Sequence, residues 1–155
     1  MKQILTTLML VIAVVLPVFA ADTHDDMYMD MAVVTAKKAV RNGNKPTGAV
    51  IILNGVWRAE GTAKGDKTAE LVAFENSRLA DLHNATVYTV NEPTTATYNA
   101  LVEAGVQGIV YANPRDAVVS AGIYPSSAYD DSKAVAGGVK PVQFVYPDAE
   151  ALLKK

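Results

Sequence analysis

Asn54-Gly55 stands between two apolar stretches, Ala49 to Leu53 and Val56 to Gly61, and nothing else in the chain constrains its topology as tightly. An Asn-Gly pair flanked by strand-like runs is the strongest short-range hairpin signal, because both turn positions need positive φ. The chain therefore contains an antiparallel strand pair, and the flanking segments decide what that pair belongs to. Upstream, Asp25-Asp26 precede an apolar-periodic run from Met27 to Val40, with Lys37, Lys38 and Arg41 near its end and Asn42-Gly43 beyond it. Acid at the start, base at the end and glycine after it read as one helix. Downstream, a polar loop from Thr62 to Lys67 leads into a second helix over roughly 68–82. Thr86 to Val90 is a short β-branched strand. Pro93 opens a third helix that Gly105 closes, and Gly108 to Tyr111 is the next strand. The stretch from Asn113 to Lys140 is less regular, with one or two short helices. Val142 to Tyr146 is the last strand and Asp148 to Leu153 the last helix. This alternation predicts a three-layer α/β/α sandwich, with helices on both faces of a five-stranded mixed sheet.

Size and charge narrow the class. A chain of 155 residues, half of them hydrophobic, has room for one core and one domain. A net charge of −2 supplies no basic field for a nucleic-acid backbone. There is no cysteine, which excludes disulfides, thiolate zinc sites, iron–sulfur clusters and cysteine nucleophiles. His24 and His83 are the only imidazoles, too few for a standard structural zinc site.

The first segment is expected to lie outside the fold. Met1-Lys2 gives a positive start, Ile4 to Val15 is almost wholly apolar, and Val18-Phe19-Ala20 ends in the small residue a signal peptidase reads. Residues 1–20 thus read as a secretory signal peptide, too short for a stable membrane span. Cleavage after Ala20 leaves a single domain, 21–155, with no membrane attachment. Loss of Lys2 takes its net charge from −2 to −2 − 1 = −3. The expected location is periplasmic or secreted, and a cysteine-free chain suits such an oxidising compartment.

Two apparent motifs fail on their chemistry. Gly61 to Thr68 lies between a strand and a helix and nearly spells a phosphate loop. Such a loop needs glycine directly before Lys-Ser/Thr so that backbone N–H groups reach the phosphates; Asp66 stands there and would repel them. No serine lies in a Gly-x-Ser-x-Gly elbow, so a hydrolase triad lacks its usual nucleophile setting.

Three pieces do form a constellation: Pro46-Thr47-Gly48 with the Ala49 strand and its hairpin, Thr68-Ala69-Glu70 opening a helix, and Tyr88 to Thr97, with Glu92-Pro93-Thr94, where a strand runs into another helix. In this order they resemble the cytidine and deoxycytidylate deaminase superfamily, in the branch of guanine deaminases and tRNA adenosine deaminases, along nearly all of the mature chain. The family signature is His-x-Glu followed by Pro-Cys-x-x-Cys. Glu70 and Pro93 match it. The resemblance places the three zinc-ligand positions on Thr68, Thr94 and Thr97. It places Ala69 beside the proton-shuttling Glu70, and the family's substrate-contacting asparagine on Ala63. It also implies that the last two strands run parallel. In the family, zinc held by imidazole and thiolates activates a water, and the glutamate moves protons to the heterocycle. Threonine offers a neutral hydroxyl that neither deprotonates readily nor binds zinc well. The sequence thus implies no metal, no cofactor and no family deamination. Thr68 and Thr94 are also suitable N-caps, and Glu70 suits a first helical turn. Thr97, β-branched and one turn in, has no such helical reason. The Glu70 carboxylate, or an ordered water or small anion beside it, is expected to occupy the former metal position, with the three hydroxyls pointing inward and donating to it.

Two further groups bear on function. Tyr124 and Tyr129 lie in the irregular segment that walls the pocket in the family, where either could stack on a planar ligand. Met27, Met29 and Met31 follow His24 closely, and thioethers with an imidazole suit Cu(I), although methionines four apart on a helix are ordinary core packing. The resulting expectation is an exported, deaminase-fold pseudoenzyme that binds a small polar or heterocyclic ligand through Thr68, Ala69, Thr94, Thr97, Ala63, Tyr124 and Tyr129. The alternatives are an enzyme of different chemistry using Glu70 as general base and a copper module built on His24 and the methionines. The partners left open are a small-molecule ligand and a second copy of the chain in a homodimer, not nucleic acid.

Overall fold

The hairpin that opens the sequence argument is the root of the sheet. In a computed structural model, which describes residues 23–154, β1 (Ala49–Leu53) and β2 (Val56–Gly61) pair antiparallel around Asn54 (φ 51°) and Gly55 (φ 76°). The expected signal peptide lies outside the described residues. β3 (Ala85–Asn91) joins β1 antiparallel, β4 (Gly108–Asn113) joins β3 in parallel, and β5 (Val142–Gln143) joins β4 in parallel. The sheet order is β2-β1-β3-β4-β5, so the five-stranded mixed sheet with its last two strands parallel is borne out. Among the described residues, no helix is long and apolar enough to cross a membrane.

Each face of the sheet carries helices because successive side chains on a strand alternate. Helix α1 (Thr23–Arg41) buries Met29, Val33 and Ala36 against Val50, Ile52, Tyr88 and Val90, together with Ala149 of α5 (Pro147–Ala151). On the other face α2 (Ala69–Ser77) and α3 (Thr95–Glu103) bury Ala69, Ala73 and Leu101 against Ile51, Val87 and Ile109. Two glycines let the helices touch the sheet. A Cβ on Gly48 would collide with the backbone of Ala32 and Ala36 in α1, and one on Gly61 with the backbone of Ala69 and Ala73 in α2.

Two elements are shorter than the sequence pattern suggests. The second helix was expected to reach Leu82, but it stops at Ser77 because Arg78 takes a left-handed conformation (φ 57°) with its N–H on the Glu75 carbonyl. Glycine is the usual residue there, so the sequence gives no stop signal, and Leu79 and Leu82 prolong the apolar period. The last strand was expected over Val142–Tyr146 and keeps only two residues. Phe144 N–H still reaches the Tyr111 carbonyl at 2.7 Å, and Phe144 then stacks on Tyr146, centroids 6.2 Å apart, as the chain turns into α5. Between β4 and β5 run α4 (Arg115–Ser120) and two 3₁₀ turns, Ser126–Ala128 and Asp131–Lys133.

Candidate functional site

The site forms where three strands end together. Register places Gly61 opposite Ala49 and Ala49 opposite Thr89, so the close of β2, the start of β1 and the close of β3 share one end of the sheet. Thr68 is the residue before α2 and Thr94 the residue before α3. Thr94 caps its helix, its Oγ1 accepting from Thr97 N–H at 3.3 Å. Thr68 makes no capping bond; its Oγ1 lies 2.9 Å from Thr97 Oγ1 instead. Thr94 Oγ1 donates to Thr97 Oγ1 at 3.0 Å. The three positions therefore converge, and Thr97 joins the other two.

Their hydroxyls bond to one another, and of the three only Thr68 also lies close enough to Glu70 to favour its charged form. The carboxylate finds a different partner: Thr89 Oγ1 donates to Glu70 Oε1 at 2.6 Å. Thr89 sits on the same strand face as Val87, and register carries it under α2. Glu70 is 3% exposed, and its Oε2 has no hydrogen-bond partner. Burial pushes the Glu70 carboxyl above its ordinary value, against the opposing hydrogen bonds of Thr89, its own backbone and Thr68. The half-buried Tyr124 and Tyr129 belong to the same neighbourhood. Burial raises both phenols, and the negative charge of Glu70 adds to the rise in each.

The remaining expected residues are placed apart. Ala69 directs its side chain into the apolar cluster with Ile51 and Leu101. Ala63 gives its N–H to Thr47 Oγ1 at 2.9 Å and lines a groove with Thr35 and Glu60. The helix splits the methionines: Met29 is wholly buried, Met27 is 51% exposed, and Met31 packs at the edge of the core. Residues two apart on a helix face different ways, so Met29 parts from the other two thioethers, while His24, Met27 and Met31 keep the i, i+3, i+7 spacing of one helix face. His24 stacks over Tyr28, centroids 6.1 Å apart. Among the described residues, no group of three or more His, Asp or Glu could hold a metal ion.

Sequence reasoning missed Thr89 and the ion pair next to the site. Arg115 Nε and Nη2 donate to Glu92 Oε1 at 2.9 and 2.8 Å, and Arg115 N–H donates to Glu92 Oε2 at 2.7 Å. Glu92 follows β3 and Arg115 opens α4. Only the parallel pairing of Asn91 with Asn113 brings them together, and no local pattern announces it.

Comparison with known proteins agrees with this geometry. No family model matches the chain. A tRNA-specific adenosine deaminase of Bacillus subtilis (strain 168) is 31% identical over 99 residues, which cover 57% of this chain and 62% of that protein. A guanine deaminase structure from Nitrosomonas europaea superposes with a TM-score of 0.69 at 18% identity, covering 83% of this chain and 82% of that one. A structure of a NE0047 variant in complex with 8-azaguanine gives a TM-score of 0.70 at 19% identity, over 84% and 83% of the two chains. The fold is cytidine deaminase-like. The chain spans about three-fifths of the length of the curated relative, and the fold is what the two have in common.

Proposed function

We propose that this is an exported deaminase-fold pseudoenzyme whose pocket binds a small polar or heterocyclic ligand without zinc. The observation that carries the reading is Glu70: a buried carboxyl with one oxygen unpartnered, beside three threonine hydroxyls. An unmet buried polar atom costs about 1–3 kcal/mol, and a ligand N–H would relieve it. Threonine at the three positions does not fit zinc. The oxygens stand 2.9 and 3.0 Å apart and are already joined by hydrogen bonds. Tetrahedral zinc with bonds near 2.0–2.2 Å holds its ligands about 3.3–3.6 Å apart and needs deprotonated or basic donors. Tyr124 and Tyr129 supply ring faces for a planar ligand, and a purine offers in-plane N–H groups to Glu70 Oε2.

The test is calorimetric titration with 8-azaguanine, the ligand in the NE0047 complex, together with elemental analysis. Binding to the wild type that weakens about tenfold in Glu70→Gln supports the reading, since one hydrogen bond to a charged group is worth about 1.5–3 kcal/mol. One zinc per chain retained after dialysis against a chelator, or turnover of the base, overturns it. For export, mature protein beginning at Ala21 is the expected result, and an intact Met1 in the secreted fraction is the contrary one.

A second reading keeps the pocket but makes it catalytic. Burial shifts the Glu70 carboxyl in the direction a general base near neutrality requires. Turnover of any substrate, lost in Glu70→Gln while binding persists, would favour this second reading.

A further inference from the structure

Glu70 is buried, so a ligand reaches its free oxygen only if something moves. The rings of Tyr124 and Tyr129 belong to the segment between α4 and β5, which polar contacts fasten to the frame. Tyr129 Oη donates to the Glu92 carbonyl at 2.7 Å, and Asp130 N–H donates to Thr95 Oγ1 at 2.8 Å. Asn99 Nδ2 donates to the Lys133 carbonyl, and Val135 N–H donates to Asn99 Oδ1, both at 2.9 Å. Arg115 Nη1 reaches Asp131 Oδ1 at 2.9 Å, and its guanidinium lies 5.2 Å from the centre of the Tyr129 ring. These fastenings are polar, and the two 3₁₀ turns contain no buried residue. A cavity of about 180 Å³ separates this segment from α3, lined by Glu92, Thr95, Tyr98, Arg115 and Asp131.

Polar, partly exposed fastenings of this kind are individually weak, because solvent screens them and competes for their partners. Segments held this way open at a free energy far below that of global unfolding. Arg115 is the point where they meet. One edge of its guanidinium is fixed to Glu92 on the frame, the other holds Asp131, and its face covers Tyr129.

We propose that residues 124–135 form a lid over the Glu70–threonine site, latched by Arg115 between Glu92 and Asp131, with Tyr129 held against the frame beneath it. The lid rests on the reading of that site as a ligand pocket, but its test uses no ligand, so failure of one does not imply failure of the other.

The chain has no cysteine, so an introduced thiol is a unique reporter. Thr97→Cys places one under the lid at a buried position of nearly the same volume. Leu101→Cys places a second on the same helix, wholly buried in the core. Each is labelled with a small aromatic disulfide reagent, with and without Arg115→Ala. The lid predicts that Arg115→Ala speeds labelling at position 97 by about tenfold, the factor that loss of roughly 1.4 kcal/mol of local stability gives. Labelling at position 101 should not change. Equal acceleration at both positions would mean that Arg115 staples the whole fold, and no acceleration at either would mean that it latches nothing; both overturn the lid. Amide hydrogen exchange in Arg115→Ala without any added cysteine is the second measurement. Faster exchange confined to 124–135 supports the lid, and uniform or unchanged exchange overturns it.

Discussion

The two faces of the sheet are built by one device and filled in opposite ways. On the α1 face a glycine admits the helix, and the space beneath is closed with Met29, Val33, Val50 and Val90. On the α2–α3 face another glycine admits the helix, but the end of the layer holds Glu70, Thr89, Thr94 and Thr97, all buried. The apolar face shows what packing alone can do with this backbone. Burying a carboxyl is expensive unless it is fully paired, and here one of its oxygens is not. Glu70 is thus the costly member of this cluster, whereas Thr94 caps α3 and serves the fold.

The sharpest way to break the comparison is to block each helix in turn. Gly48→Ala and Gly61→Ala both drive a Cβ into helix backbone, which cannot swing away as a side chain can. Each is expected to cost about 3 kcal/mol in urea denaturation, the upper part of the usual overpacking range. Only Gly61→Ala should also weaken ligand binding, because only α2 carries Thr68 and Glu70. Equal loss of binding in both would show that the faces are not separable.

Truncating the apolar face is an effect of comparable size. Met29 is fully buried in the α1 layer, and Met29→Ala should cost about 2–5 kcal/mol while leaving affinity per folded molecule unchanged. Calorimetric titration below the shifted melting transition checks this.

How much of this contrast was legible in the sequence depended on how local its cause is. Asn54-Gly55 fixes its hairpin through the strands directly beside it, and β1 and β2 have the bounds the pattern predicts. Arg78, in a conformation usually left to glycine, ended α2 with no local sign. The meeting of Thr68, Thr94 and Thr97 was legible only through the family resemblance, because residues 26 and 29 positions apart are joined by topology and not by helical period. Their bonding to one another was not legible, nor was Thr89 as the partner of Glu70, since both depend on strand register. The Arg115–Glu92 ion pair is the extreme case, set by a parallel pairing across a helical crossover.

The carboxyl itself gives a comparison that pH can turn. The Glu70 pKa is raised in the folded protein above its ordinary 4.5. The folded state then holds the proton more tightly than the unfolded chain. This contribution to stability is complete below about the unfolded value and is lost as pH rises through the folded one. Glu70→Gln removes the titration. Wild-type stability should therefore fall relative to Glu70→Gln as pH is raised from 4.5, with a slope no steeper than about 1.4 kcal/mol per pH unit. Urea midpoints of both proteins across the mildly acidic to neutral range test it. Parallel curves would mean that Glu70 is not held in a desolvated site, and would remove the main support for ligand binding there.

The smallest effect separates capping from convergence. Thr94 and Thr68 occupy equivalent positions before two helices, yet only Thr94 accepts a backbone N–H from the first turn of its helix. Loss of a threonine cap costs about 1 kcal/mol. Thr94→Ala should therefore destabilise the protein by about that amount. Thr68→Ala removes no cap and frees Thr97 of one partner, so its cost should stay within about 0.5 kcal/mol, the usual range for substitutions outside such features. If the hydroxyl cluster were what holds α2 and α3 together, the two variants would be equally damaging. A difference in their urea midpoints assigns Thr94 to the fold and leaves Thr68, uncapping and partly exposed, to the pocket.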